Sequence, residues 1–456
     1  MAYCLAIDIG ASSGRHLLGE IEEGKLTITE IYRFENAIKE KNGTLIWDID
    51  EICENVIKGL ERCKELGKIP KTVAIDTWGV DYVLLNKDGK ELLPCVAYRD
   101  ARTANVPGEI YKLTDKAWLY SRTGINEQSY NTVFQLWCDR CSGKMDKAAY
   151  MLMMPDYLSY RLTGVISQEY TICSTTGLLN AKSKTWDSEI IERLDYKKEL
   201  FGDISAPGTE IGNFSEEIKN RVGFDCLVLH CPAHDTASAV AACPADDQSL
   251  FISSGTWSLV GTENTYPVTT LQAMNAGLSN EGGIEYRYRF LKNIMGMWLF
   301  QSIKRELDNQ YTYDEMMHLA MTSSFNQLID PTDDAFLAPE SMIEAVRAWL
   351  GKEKLPLADV LSSVYHSLAH SYNTTLQEIE NISGKAIKCI NIVGGGSKDR
   401  YLNQLTKQYT GRAVTAGPVE CTATGNIICQ MMYIYDDMTI EKARELVKKT
   451  FDIAAV

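Results

Sequence analysis

Three short turns in this chain carry the residue types needed to hold a phosphate. The apolar run at 3–9 contains Asp8 and ends in Gly10-Ala11-Ser12-Ser13-Gly14-Arg15. Ala11, Ser12, Ser13 and Gly14 are small enough for their backbone amides to face an anion, and Arg15 adds a cation. An acidic residue beside such a turn suits hydrated Mg²⁺, which prefers one or two carboxylates plus waters and phosphate oxygens. The other reading of Asp8 is a buried strand-end carboxylate paired with Arg15. Ser254-Gly255-Thr256 supplies a second turn of this kind, where the Thr256 hydroxyl can donate to a phosphate. Gly394-Gly395-Gly396 supplies a third, where bare backbone can approach a flat base. Each turn alone is equally explained as a tight β-turn. Their order along one chain points to a triphosphate clamped from two sides with its base against the third.

Those turns need elements to hold them. Residues 3–9 (YCLAIDI), 15–21 and LTITEIYRF read as a β-meander. Asp48 or Asp50 then caps a helix with Ile52, Val56, Leu60 and Cys63 on one face. TVAIDTWGV is another strand, and Asn86-Lys87-Asp88-Gly89 reads as a hairpin loop. The second half repeats the order. SLFISSGTWSLVGTE is strand, glycine turn, strand. An amphipathic helix follows over 358–381, and IKCINIV is a strand ending at the triple glycine, after which Ser397 is placed to cap the next helix. The chain therefore reads as two α/β halves of similar plan, 1–245 and 246–456, joined near Pro244-Ala245-Asp246-Asp247.

Composition narrows the function classes. The 456 residues carry 46 basic and 61 acidic side chains, a net charge of −15, so no overall field attracts nucleic acid or an anionic membrane. No stretch of about 20 apolar residues suggests a membrane span, and MAYCLAIDIG lacks the basic start of a secretory signal. Thirteen scattered cysteines are an odd set that suits reduced cytoplasmic thiols, and Cys138 and Cys141 lack the second pair that a zinc site wants. The chain has no G-x-x-x-x-G-K-[ST] and no G-x-G-x-x-G after a strand. His366 and His370 lack the Glu of a zinc-protease helix and read as surface histidines. Gly10-Ala11-Ser12-Ser13-Gly14 does match G-x-S-x-G, yet a nucleophile elbow needs a helix after the serine, and RHLLGEI continues as strand.

The ordered blocks resemble the FGGY carbohydrate kinase family, within the actin, Hsp70 and hexokinase fold group. AIDIGASSGR resembles its first phosphate motif, FISSGTWSLVG its second and IVGGGSKDRYLNQLTKQYTGRAV its adenosine motif. DYLSYRLTG, STTGLLNAKSKTWD and SAPGTEIG resemble further family blocks, so the resemblance covers nearly the whole chain. It implies an α/β fold of two actin/hexokinase-like (ribonuclease H-like) domains, with ATP and sugar in the cleft between them and closure that excludes water. The segments IDTWGVDYVLL, AYRDART, PAHDTASAVAA and RFLKNIMGMWLFQ resemble members that act on L-rhamnulose. The resemblance implies that Ala11, Ser12, Ser13, Gly14, Arg15, Thr256, Gln301 and Gly395 line ATP, and that Asp8 acts through Mg²⁺ and its waters. It further implies that Gly79, His234, Asp235, Thr236 and Asn293 line the sugar, with Asp235 as the catalytic base. Asp235 also suits a helix N-cap, and the two roles are compatible. Two departures are small: Ser397-Lys398-Asp399 stands where many relatives have Ser-Gln-Asn, and Cys421 where Ala is usual.

Several residues remain open between ligand contact and structure. Trp78 and Trp257 beside the glycine turns suit sugar stacking and core packing about equally. Arg99, Asp100 and Arg102 suit sugar hydroxyls or a salt-bridged loop. The same ATP motifs would serve a kinase for L-fuculose, D-xylulose or another polyol. A non-catalytic ATP clamp or sugar-sensing protein is the alternative of a different class. It would need no base at Asp235.

Overall fold

A computed structural model describes residues 2–451 and 453–456. Strands β1 (Tyr3–Ile9), β2 (Ser13–Glu22) and β3 (Lys25–Glu35) form the expected antiparallel meander. β1 is a continuous apolar run because it is buried along almost its whole length. Asp48 is the residue that caps α1 (Ile49–Glu65), its carboxylate accepting from the Glu51 amide at 3.1 Å. Such a cap is worth about 1 kcal/mol. Ile52, Val56, Leu60 and Cys63 form the buried face of α1, and each fully buried aliphatic side chain contributes roughly 1.5–3 kcal/mol. β4 (Pro70–Thr77) lies parallel to β1 and pairs Asp76 with Asp8. β5 (Glu210–Asn213) and β6 (Leu227–Leu229) complete a six-stranded sheet of order β5-β6-β4-β1-β2-β3. The chain then runs beside the end of β4, where the Thr77 amide donates to Ala233 O at 2.9 Å, and α2 (Asp235–Ala242) begins at once.

The plan recurs in the second half. β7 (Ser249–Ser254) and β8 (Trp257–Asn264) form a hairpin about Gly255-Thr256. β9 (Ser279–Gly282) and β10 (Tyr288–Met295) follow, then α3 (Trp298–Glu306) and the long α4 (Leu357–Ser383). β11 (Cys389–Val393) lies parallel to β7, and β12 (Ala413–Ala416) lies parallel to β11. Both halves thus show a hairpin with a glycine turn, two parallel strands beside its first strand, and an antiparallel edge, which is β5 in the first half and Ala454–Ala455 in the second. Ser397 does not cap the helix that follows the glycines. Its hydroxyl turns back to Gly394 O at 2.7 Å, and Asp399 caps α5 (Arg400–Thr410) by accepting from the Leu402 amide at 3.0 Å.

The chain divides into two compact units. The first gathers the chain up to Ala242 together with Asn264–Phe290 and Thr422–Thr450, and the second gathers Cys243–Glu263 and Leu291–Cys421 with the carboxy-terminal strand. A single division at 245/246 is therefore crossed twice. The reason is buried hydrogen bonding. From α6 (Cys421–Ile434), Gln430 donates to Leu5 O at 2.9 Å and accepts from the Thr72 hydroxyl at 2.7 Å. From β9, the Asn280 amide donates to Gly124 O at 2.8 Å. No helix among the described residues is long and apolar enough to cross a membrane.

Candidate active site

The first unit brings Gly79, His234, Asp235 and Thr236 to the carboxyl end of β4, where ligands of open parallel sheets bind. A Cβ placed on Gly79 would lie 3.3 Å from His234 Nε2, so the imidazole edge faces this backbone directly. His234 Nε2 in turn lies 3.4 Å from Asp235 Oδ1. Asp235 opens α2, and its Oδ1 accepts from the Thr236 amide at 2.5 Å and the Thr236 hydroxyl at 3.1 Å. Asp235 is the first residue of α2 and not its N-cap: the cap position is held by His234, whose carbonyl accepts from the Ala237 amide at 2.7 Å and the Ser238 amide at 3.1 Å, and the positive end of the helix favours the Asp235 anion. A third of the Asp235 side chain stays exposed, against 11% for His234. Val80 follows Gly79 at φ +68°, a conformation rare for a β-branched residue. The Thr132 hydroxyl holds its carbonyl at 2.7 Å.

Glu169 sets the backbone of this segment from below. Its Oε2 accepts from Thr171 Oγ1 at 2.7 Å, the Ile172 amide at 2.9 Å and the Ala233 amide at 3.3 Å. The Thr171 hydroxyl then accepts from the His234 amide at 3.2 Å. Burial pushes the Glu169 carboxyl up to about 7, against the pull of these donors.

Asp8 pairs with Arg15 at 2.6 Å, one of the two readings of that residue. Beside it in the sheet register stands Asp76, fully buried, accepting from Asn426 Nδ2 at 2.6 Å. Burial pushes the Asp76 carboxyl well above its usual range, and the negative charges of Asp8 and Asp235 push the same way. Asp76 Oδ1 has no hydrogen-bond partner among the described residues. Asp8 and Asp76, with one oxygen of Asp76 unsatisfied, form a donor set that would suit a hydrated divalent cation. The described residues contain no cluster of three or more ligating side chains.

The turn of the first unit is closed by Gly10 N donating to Ser13 O at 2.9 Å, and Asn36 straps it by donating to Ser12 O and Gly10 O. Ser12 is exposed, and Ala11, Ser13 and Arg15 are half-buried. Gly14 is different: it is buried, and a Cβ there would run into the Phe34 ring. In the second unit, Gly255 and Thr256 are exposed on their hairpin. The amides of Gly296 and Trp298 donate to Thr256 O, both at 3.1 Å, fixing the start of α3, which carries Gln301. Gly394 (φ +89°) and Gly396 press against Ser254, whereas a Cβ on Gly395 would meet open space. Asn293 is half-buried on β10 in the second unit, with its Oδ1 lacking a hydrogen-bond partner among the described residues.

Four functional candidates escaped the sequence reading: Asp76, Asp81, Glu281 and Arg289. Asp76 and Asp81 stand inside IDTWGVDYVLL, and Arg289 opens RFLKNIMGMWLFQ, so those segments held the signal. Glu281 had none. Asp81 is buried and accepts from the indoles of Trp47 at 2.6 Å and Trp78 at 2.9 Å, from Gln135 at 3.0 Å and from the Tyr98 amide at 3.2 Å. Burial pushes its carboxyl up while these donors oppose. Trp78 is therefore a packed residue, stacked on Trp47 with ring centroids 4.2 Å apart. Arg102 pairs with Asp139 at 2.8 Å, Asp100 accepts from the Leu45 amide at 2.8 Å, and exposed Arg99 bonds the Tyr98 hydroxyl.

Residues 3–242 match the N-terminal domain of the FGGY family of carbohydrate kinases, and residues 250–434 match its C-terminal domain. The chain belongs to this family, whose members use ATP. Among curated proteins it is 42% identical to a rhamnulokinase of Halalkalibacterium halodurans, over 99% of this chain and 98% of that protein. It is 41% identical to a rhamnulokinase of Oceanobacillus iheyensis, over 98% and 97%. Among solved structures it resembles gluconate kinase from Lactobacillus acidophilus (TM-score 0.83, 17% identity, 100% of this chain and 92% of that one). It also resembles Plasmodium falciparum glycerol kinase with ADP (TM-score 0.81, 14% identity, 99% and 94%). These likenesses show the two-domain α/β fold of the actin/hexokinase group.

Proposed function

We propose that the chain transfers the γ-phosphoryl group of ATP to the 1-hydroxyl of L-rhamnulose, giving L-rhamnulose 1-phosphate and ADP. The observation that carries this reading is the half-open Asp235 beside His234 and Gly79 at the strand end, in a chain about 40% identical over its length to proteins named rhamnulokinase. Phosphoryl transfer needs alignment and charge neutralisation more than covalent help from protein. Asp235 accepts the proton of the attacking hydroxyl, with the start of α2 behind it. His234, Thr236, Gly79 and Asn293 orient the sugar. Ala11 to Arg15, Thr256 and Gln301 hold the phosphates, and Gly395 leaves room for the base. Mg²⁺, held through Asp8 with Asp76 behind it, would neutralise phosphate charge. We assign the reaction to the cytoplasm, since thirteen cysteines, an odd number scattered along the chain, suit reducing conditions.

The test is product identity. Incubation with MgATP and L-rhamnulose, followed by phosphorus and proton NMR, should give a phosphate ester coupled to the C1 methylene protons. An ester at another carbon, or none, overturns the assignment.

A further inference from the structure

Arg289 is among the largest fully buried side chains in the molecule. Three groups of the first unit surround it. Its Nε donates to Gly282 O at 2.8 Å, and its Nη2 lies 3.0 Å from Glu281 Oε2 and 3.0 Å from His234 Nδ1. A guanidinium has only donors, so Nδ1 must accept in this contact. An imidazole that accepts at Nδ1 carries its proton on Nε2, the nitrogen facing Asp235 and Gly79. The alternative, Nδ1–H donating to Glu281 Oε2 at 3.3 Å, sets that hydrogen against the Nη2 hydrogens.

Stability does not account for this pair. A buried ion pair is commonly neutral or unfavourable against apolar residues of equal volume. Arg289 Nη1 is moreover buried without a hydrogen-bond partner among the described residues. Burial alone would raise the Glu281 carboxyl, yet the Arg289 guanidinium beside it holds it below its usual value, so it is a carboxylate. Its charge compensates the guanidinium, and the Gly282 carbonyl fixes the plane.

We propose that Glu281 and Arg289 are positioning residues for the phosphoryl acceptor: Glu281 holds Arg289, and Arg289 fixes His234 as its Nε2–H tautomer, so that His234 offers a donor beside Asp235. Neither residue touches the acceptor. The proposal rests on the sugar-site reading of His234 and Asp235. A histidine free to flip tautomers would present a lone pair to Asp235 and to the sugar hydroxyl for part of the time.

The test needs no sugar for its first arm. Nitrogen NMR of the full chain labelled at histidine should show His234 with a protonated Nε2 and a bare Nδ1, and Arg289→Met should lose that fixed tautomer. In the second arm, Arg289→Met and Glu281→Gln should each lower kcat/KM for L-rhamnulose roughly 10- to 100-fold, the loss of one hydrogen bond to a charged group. The dissociation constant for ATP should stay unchanged, which a general loosening of the fold would not allow. Arg289→Lys should recover part of the loss. A protonated Nδ1 in the wild type overturns the proposal, as does unchanged sugar kinetics in a folded Arg289→Met chain. If Arg289→Met does not fold, the wild-type spectrum and Glu281→Gln decide by the same criteria. Absence of sugar-dependent turnover in the wild type would overturn the acceptor reading instead, while the spectrum still judges Arg289.

Discussion

Glu169 makes stability depend on pH in a direction opposite to most carboxylates. Its carboxyl is fully buried and pushed up to about 7, from an ordinary value of 4.5. Below 4.5 the group is protonated in both folded and unfolded chains. Between 4.5 and 7 the unfolded chain has released the proton and the folded chain keeps it, so stability falls as pH rises. A shift of that size corresponds to about 3 kcal/mol, fully lost above pH 7. Glu169→Gln removes the titration and little else. The amide oxygen can take the three donors now on Oε2, and the amide nitrogen replaces Oε1, which has no hydrogen-bond partner among the described residues. Burial also pushes Asp156 up, with Glu169 as its second cause, so its dependence runs the same way in both chains. The assay is urea unfolding of both chains from pH 5 to pH 8, read as the difference between them. The difference should move about 3 kcal/mol toward the glutamine variant as pH rises. A flat difference, or one that moves the other way, refutes the reasoning.

Four further variants test the local packing. Gly14→Ala drives a methyl group into the Phe34 ring and should cost about 1–3 kcal/mol, seen as a lower urea midpoint. Gly396→Ala meets the Ser254 side chain and should cost a similar amount, whereas Gly395→Ala points into open space and should leave the midpoint unchanged while raising KM for ATP. Asp81→Ala leaves the Trp47 and Trp78 indole N–H groups and the Tyr98 amide without the carboxylate that accepts from them. At about 1–3 kcal/mol for each buried unsatisfied group, it should lower the melting temperature strongly and change tryptophan fluorescence.

Local signals made much of this molecule legible. The Asp48 cap and the spacing of Ile52, Val56, Leu60 and Cys63 specify α1 without tertiary information. The two glycine-turn hairpins announce the repeated plan in the same way. What could not be read is non-local. Nothing within 421–434 says that Asn426 and Gln430 spend their amides on strands 350 and 425 residues earlier. Glu281 and Arg289 are charged types usually found exposed, and their burial goes with tertiary contacts to each other, to Gly282 and to His234. Ser397 and Asp399 are both good caps two residues apart, and the tight glycine turn decided between them by engaging Ser397 with Gly394. Gly14 looked like phosphate-turn glycine and is also required by Phe34. The resemblance named candidate ligand contacts rather than buried groups such as Glu281 and Arg289.

The central claim is a sugar-dependent phosphoryl transfer with Asp235 as base. It is tested most directly by ADP release from MgATP against L-rhamnulose, L-fuculose, D-xylulose, L-ribulose and glycerol, for the wild type and Asp235→Asn. The account predicts strong preference for L-rhamnulose and a roughly 10²- to 10⁴-fold loss in a folded asparagine variant. No sugar-dependent ADP release, or an asparagine variant as active as the wild type, would contradict it.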